Sequence, residues 1–319
     1  MPAEPLRTEI LQLPDGSSIY WEASGNPKGK PALYLHGGPG SGAQTWYREQ
    51  FDPDQCLIVS FDQRGCGRSR PLVTDSDYDL ESNTTQALLA DIEQLREHLN
   101  VERWLLTGVS WGTTLALAYA QAYPERVSEL VLAAVTNTSR TEVTWITETV
   151  GHFFPEAWSE FEQRANPGPG ERLIDAYYRL IRHPDRSTRE RAAEAWCKWE
   201  DVIVSLGPNV KPSARFIDPD FRMLFATLVI HYFAHAAFLD GQEILHNMER
   251  IAHLPGVLIH GRLDVSGPLQ TAWQLHKRWR NSRLIVVESE GHGGAGMWNE
   301  FSKAIASFLP TSGKHDVAL

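Results

Sequence analysis

Apolar residues stand in short uninterrupted runs along much of the chain. Such runs occur at 31–35 (PALYL), 56–61, 104–109, 129–135, 256–260 and 284–287. Runs that are apolar throughout, rather than alternating, are typical of strands buried on both faces of a parallel sheet. Before them, residues 7–24 form two short runs around Pro14-Asp15-Gly16, a tripeptide that predicts a hairpin turn.

Segments with helical spacing separate these predicted strands. They cover 84–99 and 113–123, begin again after Pro268, and return around 298–308. Strand and helix therefore alternate at both ends of the chain. This alternation predicts an α/β protein with a mostly parallel, doubly wound sheet of about eight strands.

The middle of the chain breaks this alternation. Residues 137–250 contain no convincing strand, but they contain several helical runs rich in Trp, Phe, Tyr and His. We interpret this stretch as an inserted helical cap. The predicted organisation is thus a core domain of residues 1–136 and 251–319 and a cap domain of residues 137–250.

Composition and charge narrow the possible partners and location. The 319 residues are 42% hydrophobic, as is ordinary for a globular enzyme, and a net charge of −10 disfavours nucleic acid. Cys56, Cys66 and Cys197 are too few and too scattered for a disulfide framework. The N-terminal segment lacks a secretory pattern and no apolar run is long enough to span a bilayer, so we expect a cytoplasmic protein without membrane association. The oligomeric state is not indicated.

The strongest chemical signal is a Gly-x-Ser-x-Gly pattern at 108–112, where an apolar run gives way to a helical one. In a nucleophile elbow, such a tight turn lifts the serine hydroxyl clear of the sheet edge. Ser110 is therefore the predicted nucleophile. The N–H of Trp111, at the start of the following helix, would face a developing oxyanion.

A glycine-rich loop at 36–40 (HGGPG) directly follows the run at 31–35. α/β hydrolases supply the second oxyanion-hole N–H from a loop in this position. Gly37 and Gly38 are both candidate donors. We favour Gly38, although the sequence leaves the choice open.

A serine nucleophile needs a base, and the base needs a carboxylate to orient it. In this fold the chain order is Ser, then Asp or Glu, then His, each in a loop after a strand. Asp264 and His292 satisfy both requirements and are the predicted acid and base. Glu288 and Glu290 are alternative carboxylates.

Six segments together give a family resemblance. Four of them carry the candidate catalytic groups: HGGPG (36–40), GVSWG (108–112), GRLDV (261–265) and GHGG (291–294). The other two, FDQRGCGRS (61–69) and NTT (83–85), are not needed by α/β hydrolases in general. The combination resembles proline iminopeptidases, also called prolyl aminopeptidases. The resemblance implies an α/β-hydrolase fold and release of an N-terminal residue, preferably proline, through an acyl-enzyme, with no metal or cofactor.

The resemblance extends into the predicted cap. Residues 196–200 (WCKWE) are similar to the family's Trp-Ser-x-Trp-Glu, which implies that Glu200 holds the substrate's free amino group. Trp196, with Trp199 in the same motif, could then offer an apolar wall for a pyrrolidine ring. The alternative is a solvated Glu200 beside two core tryptophans.

One departure from the family concerns a second acid in the cap. The run ATLVIHYF (226–233) places Val229 where the family usually has a glutamate. Loss of one anion should weaken capture of an ammonium group, and a pocket lined by Val229 would suit an uncharged acyl group. We therefore predict a prolyl aminopeptidase acting on small peptides, with an esterase, amidase or lactonase as the alternative. A non-catalytic binding protein is disfavoured because both Ser110 and His292 are present.

Overall fold

A mixed eight-stranded sheet forms the centre of the computed structural model, which describes residues 4–206, 212–239 and 243–310. Its strands are β1 (Arg7–Gln12), β2 (Ser18–Gly25), β3 (Lys30–Leu35), β4 (Cys56–Phe61), β5 (Trp104–Val109), β6 (Val127–Ala133), β7 (Gly256–Gly261) and β8 (Ser282–Val287). The spatial order is β1-β2-β4-β3-β5-β6-β7-β8. The β1–β2 and β2–β4 pairs are antiparallel and the other pairs are parallel. The predicted fold class and hairpin are confirmed.

Helices cover the sheet and form most of the segment between β6 and β7. They are α1 (Thr85–His98), α2 (Trp111–Ala122), α3 (Arg140–Thr147), α4 (Pro155–Ala165), α5 (Leu173–Ile181), α6 (Arg186–Val204), α7 (Pro219–Ala234), α8 (Glu243–His246), α9 (Leu269–Arg278) and α10 (Ala295–Ala306). Each of the four helices predicted outside the middle segment is present. The second, α2, begins two residues before the predicted position because it starts directly after the sharp turn at Ser110.

Burial explains why the central strands could be predicted from the sequence. Every residue of β5 and of β7 is buried. A strand covered on both faces tolerates a polar side chain only with a hydrogen-bond partner, as at Thr107 and His260, so its sequence is mostly apolar. The prediction for β6, 129–135, ran two residues too far, because Ala134 has φ of 49° and ends the extended backbone.

We call residues 137–250 the cap. Helices α3 to α7 share an apolar cluster around Phe161, Tyr177, Trp196 and Ile230, whereas Ile244 of α8 packs in the main core. The described residues of the cap contain no strand. Whether the cap is a separate domain stays a prediction, and the ends of the predicted core domain, 1–3 and 311–319, lie outside the described residues.

The segment NTT connects the core to the cap. The side-chain oxygen of Asn83 accepts a hydrogen bond from the Tyr232 hydroxyl at 2.7 Å, and its backbone oxygen lies 3.0 Å from Nε2 of His231. Thr85 donates to the backbone oxygen of Ala237 at 2.5 Å. These bonds fix the C-terminal part of α7 and the residues after it to the start of α1.

No helix in the described part of the chain is, taken singly, long and apolar enough to cross a membrane. The helix α7 and the segment Ala236–His246 reach that length and composition only as a pair, which is bent by 68°.

Candidate active site

The turn at Ser110 has the geometry of a nucleophile elbow. Ser110 has φ of 56° and ψ of −127°, a strained conformation between β5 and α2. A Cβ atom at Gly108 would collide with the backbone oxygen of Gly112, and one at Gly112 would collide with that of Leu35. Both glycines of the Gly-x-Ser-x-Gly pattern are therefore required by close backbone packing.

The three predicted catalytic side chains lie within hydrogen-bonding distance of one another. Nε2 of His292 is 3.0 Å from Oγ of Ser110, and Nδ1 of His292 is 2.8 Å from Oδ2 of Asp264. They come from the loops after β5, β7 and β8, at the carboxyl ends of parallel strands. With Nδ1 protonated, Nε2 is free to accept the serine proton.

The carboxylate of Asp264 is buried and held in its charged form. Its Oδ1 accepts hydrogen bonds from the N–H groups of Ser266 and Gly267 at 3.1 and 2.9 Å and from the Ser266 hydroxyl at 2.7 Å. Burial opposes ionisation, but the charge of His292 and these hydrogen bonds outweigh it, and the pKa of Asp264 falls to about 2. Burial also opposes protonation of His292, yet Asp264 and Glu200 together raise its pKa.

A second histidine near Asp264 is neutral. Nδ1 of His260 accepts the backbone N–H of Val135 at 3.0 Å, so Nε2 carries the proton and donates to the backbone oxygen of Gly267 at 2.6 Å. Burial lowers the pKa of His260 despite the nearby Asp264. His260 thus braces the loop that carries the acid.

The alternative carboxylates are turned away from His292. Glu288 is exposed and pairs with Arg262 at 2.9 Å. Glu290 accepts the N–H of Gly296 at 2.8 Å. Of the three candidate acids, the described structure places only Asp264 against the imidazole.

The candidate oxyanion-hole groups surround Ser110. The N–H of Trp111 is the first of α2, where no partner exists within the helix. Gly37 packs closely on Ser110, because a Cβ there would lie 3.2 Å from that of Ser110. Gly38 borders both cavities that meet at the serine, whereas Gly37 borders one.

The segment FDQRGCGRS holds this loop in place. The Asp62 carboxylate accepts the N–H of Ala43 at 2.7 Å and binds Arg68 at 2.7 Å. Gln63 donates from Nε2 to the backbone oxygen of His36 at 3.0 Å and accepts the Trp111 indole N–H at 2.9 Å. A segment outside the triad therefore fixes both sides of the candidate oxyanion hole.

Two cavities meet at Ser110, of about 40 and 370 Å³. Both are bordered by Gly38, Ser110, Glu200, Val204 and His292. The smaller one has apolar walls from Val143, Ile146, Ile203 and Phe233, and the larger one is bordered by aromatic side chains and by Arg215.

Glu200 sits where the two cavities join. Burial raises its pKa to about 7, partly offset by the charge of His292 and by the Trp196 indole. The described residues place no Lys or Arg within ion-pair distance of this carboxylate. It is therefore a largely desolvated acid that has no Lys or Arg partner among the described residues.

The other predicted cap residues lie away from both cavities. Trp196 and Val229 are fully buried within the cap cluster, and neither borders a cavity at Ser110. Trp199 is also buried, where its indole N–H donates to the backbone oxygen of Ile146 at 3.0 Å. The tryptophans are core residues, and Phe233, one turn after Val229 on α7, supplies the apolar wall instead.

Sequence reasoning missed a second buried acid beside the smaller cavity. The Glu142 carboxylate accepts the backbone N–H groups of Asn137 and Thr138 at 2.8 and 2.7 Å and the hydroxyl of Thr271, while burial raises its pKa. Ser139 and Glu142 form the Ser-x-x-Glu pattern of a capping box, which was the available signal. Its acceptor sites are already occupied by neutral donors.

No group of three or more His, Cys, Asp or Glu side chains among the described residues is arranged to hold a metal ion. The arrangement at Ser110 is suited to acyl transfer, in which a serine alkoxide forms as a neutral imidazole accepts its proton.

The fold and the site define a hydrolase of the α/β-hydrolase fold. The family model described as alpha/beta hydrolase fold matches residues 30–295. A hydrolase from Pseudomonas aeruginosa has a similar fold, with a TM-score of 0.63 at 16% identity over 96% of this chain and 99% of that one. The esterase EaEST from Exiguobacterium antarcticum gives 0.57 at 18% identity over 95% and 99%.

Curated relatives narrow the class further. A probable proline iminopeptidase of Streptomyces coelicolor is 45% identical over 91% of this chain and 90% of its own length. A proline iminopeptidase of Xylella fastidiosa is 43% identical over 90% and 91%. The chain belongs to the proline iminopeptidase family, as its motifs predicted.

Proposed function

We propose that the protein is a serine aminopeptidase that releases N-terminal proline, or another small residue, from short peptides. The observation that carries this proposal is the carboxylate of Glu200, which lies at the junction of the two cavities and has no Lys or Arg partner among the described residues. A buried carboxylate facing a cavity is a suitable partner for the ammonium group of a substrate. The names of the curated relatives support the same activity.

The reaction follows from the geometry at Ser110. Its Oγ attacks the carbonyl carbon of the first residue while Nε2 of His292, 3.0 Å away, takes the hydroxyl proton. The N–H groups of Trp111 and Gly38 stabilise the oxyanion, and His292 then gives its proton to the leaving amine. A water molecule, deprotonated by the same imidazole, releases the acyl group from the serine.

The two cavities suggest how the substrate lies. The first residue occupies the smaller cavity, whose Ile146, Ile203 and Phe233 walls suit a pyrrolidine ring. Its ammonium group meets Glu200, and the leaving portion extends into the larger cavity. Cleavage after the first residue follows because Glu200 fixes the amino group beside Ser110.

The test compares proline-p-nitroanilide with its N-acetyl analogue. We expect kcat/KM to be at least about 100-fold higher for the free amine, because a charged hydrogen bond is lost on acetylation and the buried carboxylate stays unpaired. Glu200→Gln should remove most of this preference, and Glu194→Gln, at an exposed position of α6, should keep it. Similar rates on both substrates would contradict the proposal.

A second candidate is hydrolysis of esters or amides with a small uncharged acyl group. The observation in its favour is the raised pKa of Glu200, about 7, which leaves much of this acid neutral at physiological pH. Val229, where the family usually has a glutamate, adds no second charge. This function predicts faster turnover of p-nitrophenyl butyrate than of any aminoacyl anilide.

We also propose a cytoplasmic location. Support comes from Cys56, Cys66 and Cys197, which are buried free thiols in the structure. Cell fractionation with an antibody against the protein tests this.

A further inference from the structure

Arg215 borders the larger cavity, and its guanidinium has no anionic partner among the described residues. Its guanidinium carbon lies 3.7 Å from the ring centroid of Phe221, and no side chain of the described residues forms an ion pair or hydrogen bond with its guanidinium. Residues 207–211, which precede Arg215 in the sequence and are not among the described residues, include no Asp or Glu. Burial lowers the pKa of Arg215, although Cys66 and Asp62 partly offset it.

The acids around Arg215 are already engaged. Asp62 binds Arg68 and accepts the N–H of Ala43, at 2.7 Å each. Asp201, which borders the same cavity, accepts the N–H of Ser213 at 2.8 Å. Glu200, which also borders this cavity, forms no ion pair with Arg215 and is assigned to the ammonium group of the substrate in the proposed function.

Buried arginines elsewhere in the molecule are paired. Arg48, Arg64 and Arg96 bond to Glu22, Asp91 and Glu93 at 2.5, 2.6 and 2.9 Å. Taking a guanidinium partly out of water without an anion costs free energy, unless a ligand supplies the anion. Arg215 is therefore placed as a binding group and not as a structural one.

Arg215 and Ser110 border the same cavity, which points to the kind of anion that Arg215 binds. The larger cavity begins at Ser110 and His292 and has aromatic walls that include Trp46, Phe216 and Trp298. In the proposed function it receives the leaving portion of the substrate. We propose that Arg215 binds the C-terminal carboxylate of that leaving portion, so that the enzyme selects dipeptides and tripeptides with a free carboxyl end.

This inference rests on the proposed function, because it needs an acyl-transfer site at Ser110 with the first residue in the smaller cavity. It adds a second charged contact at the opposite end of the substrate. If Glu200 binds the ammonium group and Arg215 binds the carboxylate, the two contacts together select substrates by length.

The experiment compares free acids with amides of the same peptide. The pairs are prolyl-phenylalanine and prolyl-phenylalaninamide, and prolyl-phenylalanyl-alanine and its amide. We expect kcat/KM to favour the acid by about tenfold in at least one pair, in line with a charged hydrogen bond at a half-buried site. Arg215→Met should bring this ratio to about 1, and Arg215→Lys should keep part of it.

A control variant separates a specific effect from a general loss of positive charge. Arg191→Met removes an exposed arginine of the same cap, 52% exposed, from a position that borders neither cavity at Ser110. It should keep the wild-type acid-to-amide ratio. If Arg215→Met fails to fold, the wild-type ratio and Arg215→Lys still decide the outcome.

A ratio near 1 for both pairs in the wild-type enzyme would overturn the inference, as would a ratio that survives in Arg215→Met. Preference for the α-monoamide of prolyl-glutamic acid, which keeps the side-chain carboxylate, over prolyl-glutaminamide, without any acid-over-amide preference, would assign the site to acidic side chains and overturn the C-terminal assignment. Turnover of proline-p-nitroanilide with ratios near 1 would leave the proposed function standing. Absence of turnover on all prolyl substrates would overturn both.

Discussion

The hydroxyl oxygen of Ser266 lies 2.9 Å from Nδ1 of His292. The same hydroxyl is 2.7 Å from Oδ1 of Asp264, an acceptor only, so its proton points to the carboxylate and its lone pairs face the imidazole. The Nδ1 proton of His292 is therefore shared between Asp264 and Ser266. This arrangement restrains the ring in the orientation that leaves Nε2 free for Ser110.

Substitution of Ser266 by alanine should lower kcat by about 3- to 10-fold with KM changed less than twofold. The reason is that the hydroxyl is held by Asp264 and contacts the imidazole, so its loss changes the orientation of His292, while Asp264 keeps its hydrogen bonds to His292 and to the backbone. Steady-state kinetics with proline-p-nitroanilide measure this, and Ser266→Thr should restore most of kcat. A rise in KM with kcat unchanged would mean that Ser266 contacts substrate instead.

The pH dependence should differ between prolyl and ester substrates. His292, whose pKa is raised, must be neutral to act as base, and Glu200, with a pKa of about 7, must be charged to hold an ammonium group. Below pH 6.5, log kcat/KM should rise with a slope of about 2 for proline-p-nitroanilide and about 1 for p-nitrophenyl butyrate. Equal slopes would contradict the role of Glu200, and Glu200→Gln should reduce the steeper slope to about 1.

Glu200 should also make stability depend on pH. Its folded pKa lies above its unfolded value, so its contribution to stability is fully present below about pH 4.5 and is lost as pH rises through about 7. Glu200→Gln should therefore be more stabilising at pH 8 than at pH 5. The change that it causes in the free energy of unfolding should be more positive at pH 8, by on the order of 1–3 kcal/mol. Urea denaturation at the two pH values measures the difference. An equal effect at both would show that the carboxylate is well solvated.

An added methyl group at Gly37 should damage activity more than stability. Its Cβ would lie 3.1 Å from the backbone oxygen of Val109 and 3.2 Å from Cβ of Ser110, which moves the serine or the oxyanion loop by a few tenths of an ångström. We expect kcat of Gly37→Ala to fall by about 10- to 100-fold, since oxyanion-hole geometry is exacting. Gly168→Ala, where the nearest atom is 3.6 Å away, is the matched control and should retain full activity. A normal kcat in Gly37→Ala would contradict this account of the loop.

The fold was predictable because its signals are local. Strands such as β5 and β7 are buried on both faces, which leaves continuous apolar runs in the sequence. The elbow glycines are required by backbone contacts within a few residues or with one neighbouring strand. The end of β6 was missed because Ala134 has a positive φ, and an alanine in the sequence does not indicate that conformation.

The site was predictable only where a sequence motif follows a strand and so fixes where its residues lie in the fold. Ser110, Asp264 and His292 follow strands in a fixed order, so topology brings them together. Trp196 lies in the cap cluster and borders neither cavity, because a motif on a helix does not reveal which side chains face a cavity and which face the neighbouring helices. Arg215 and Ser266 carry no motif, and their positions depend on how the cap and the loop after β7 fold against the sheet.

The central claim is that His292 activates Ser110 for attack on an acyl carbon. The most direct measurement is the rate of covalent labelling by a fluorophosphonate, followed by mass spectrometry of the intact protein and of its peptides. The account predicts one adduct per chain, on Ser110, which is absent in Ser110→Ala and forms at least about 100-fold more slowly in His292→Ala. An adduct on another residue, or equally fast labelling without the imidazole, would contradict it.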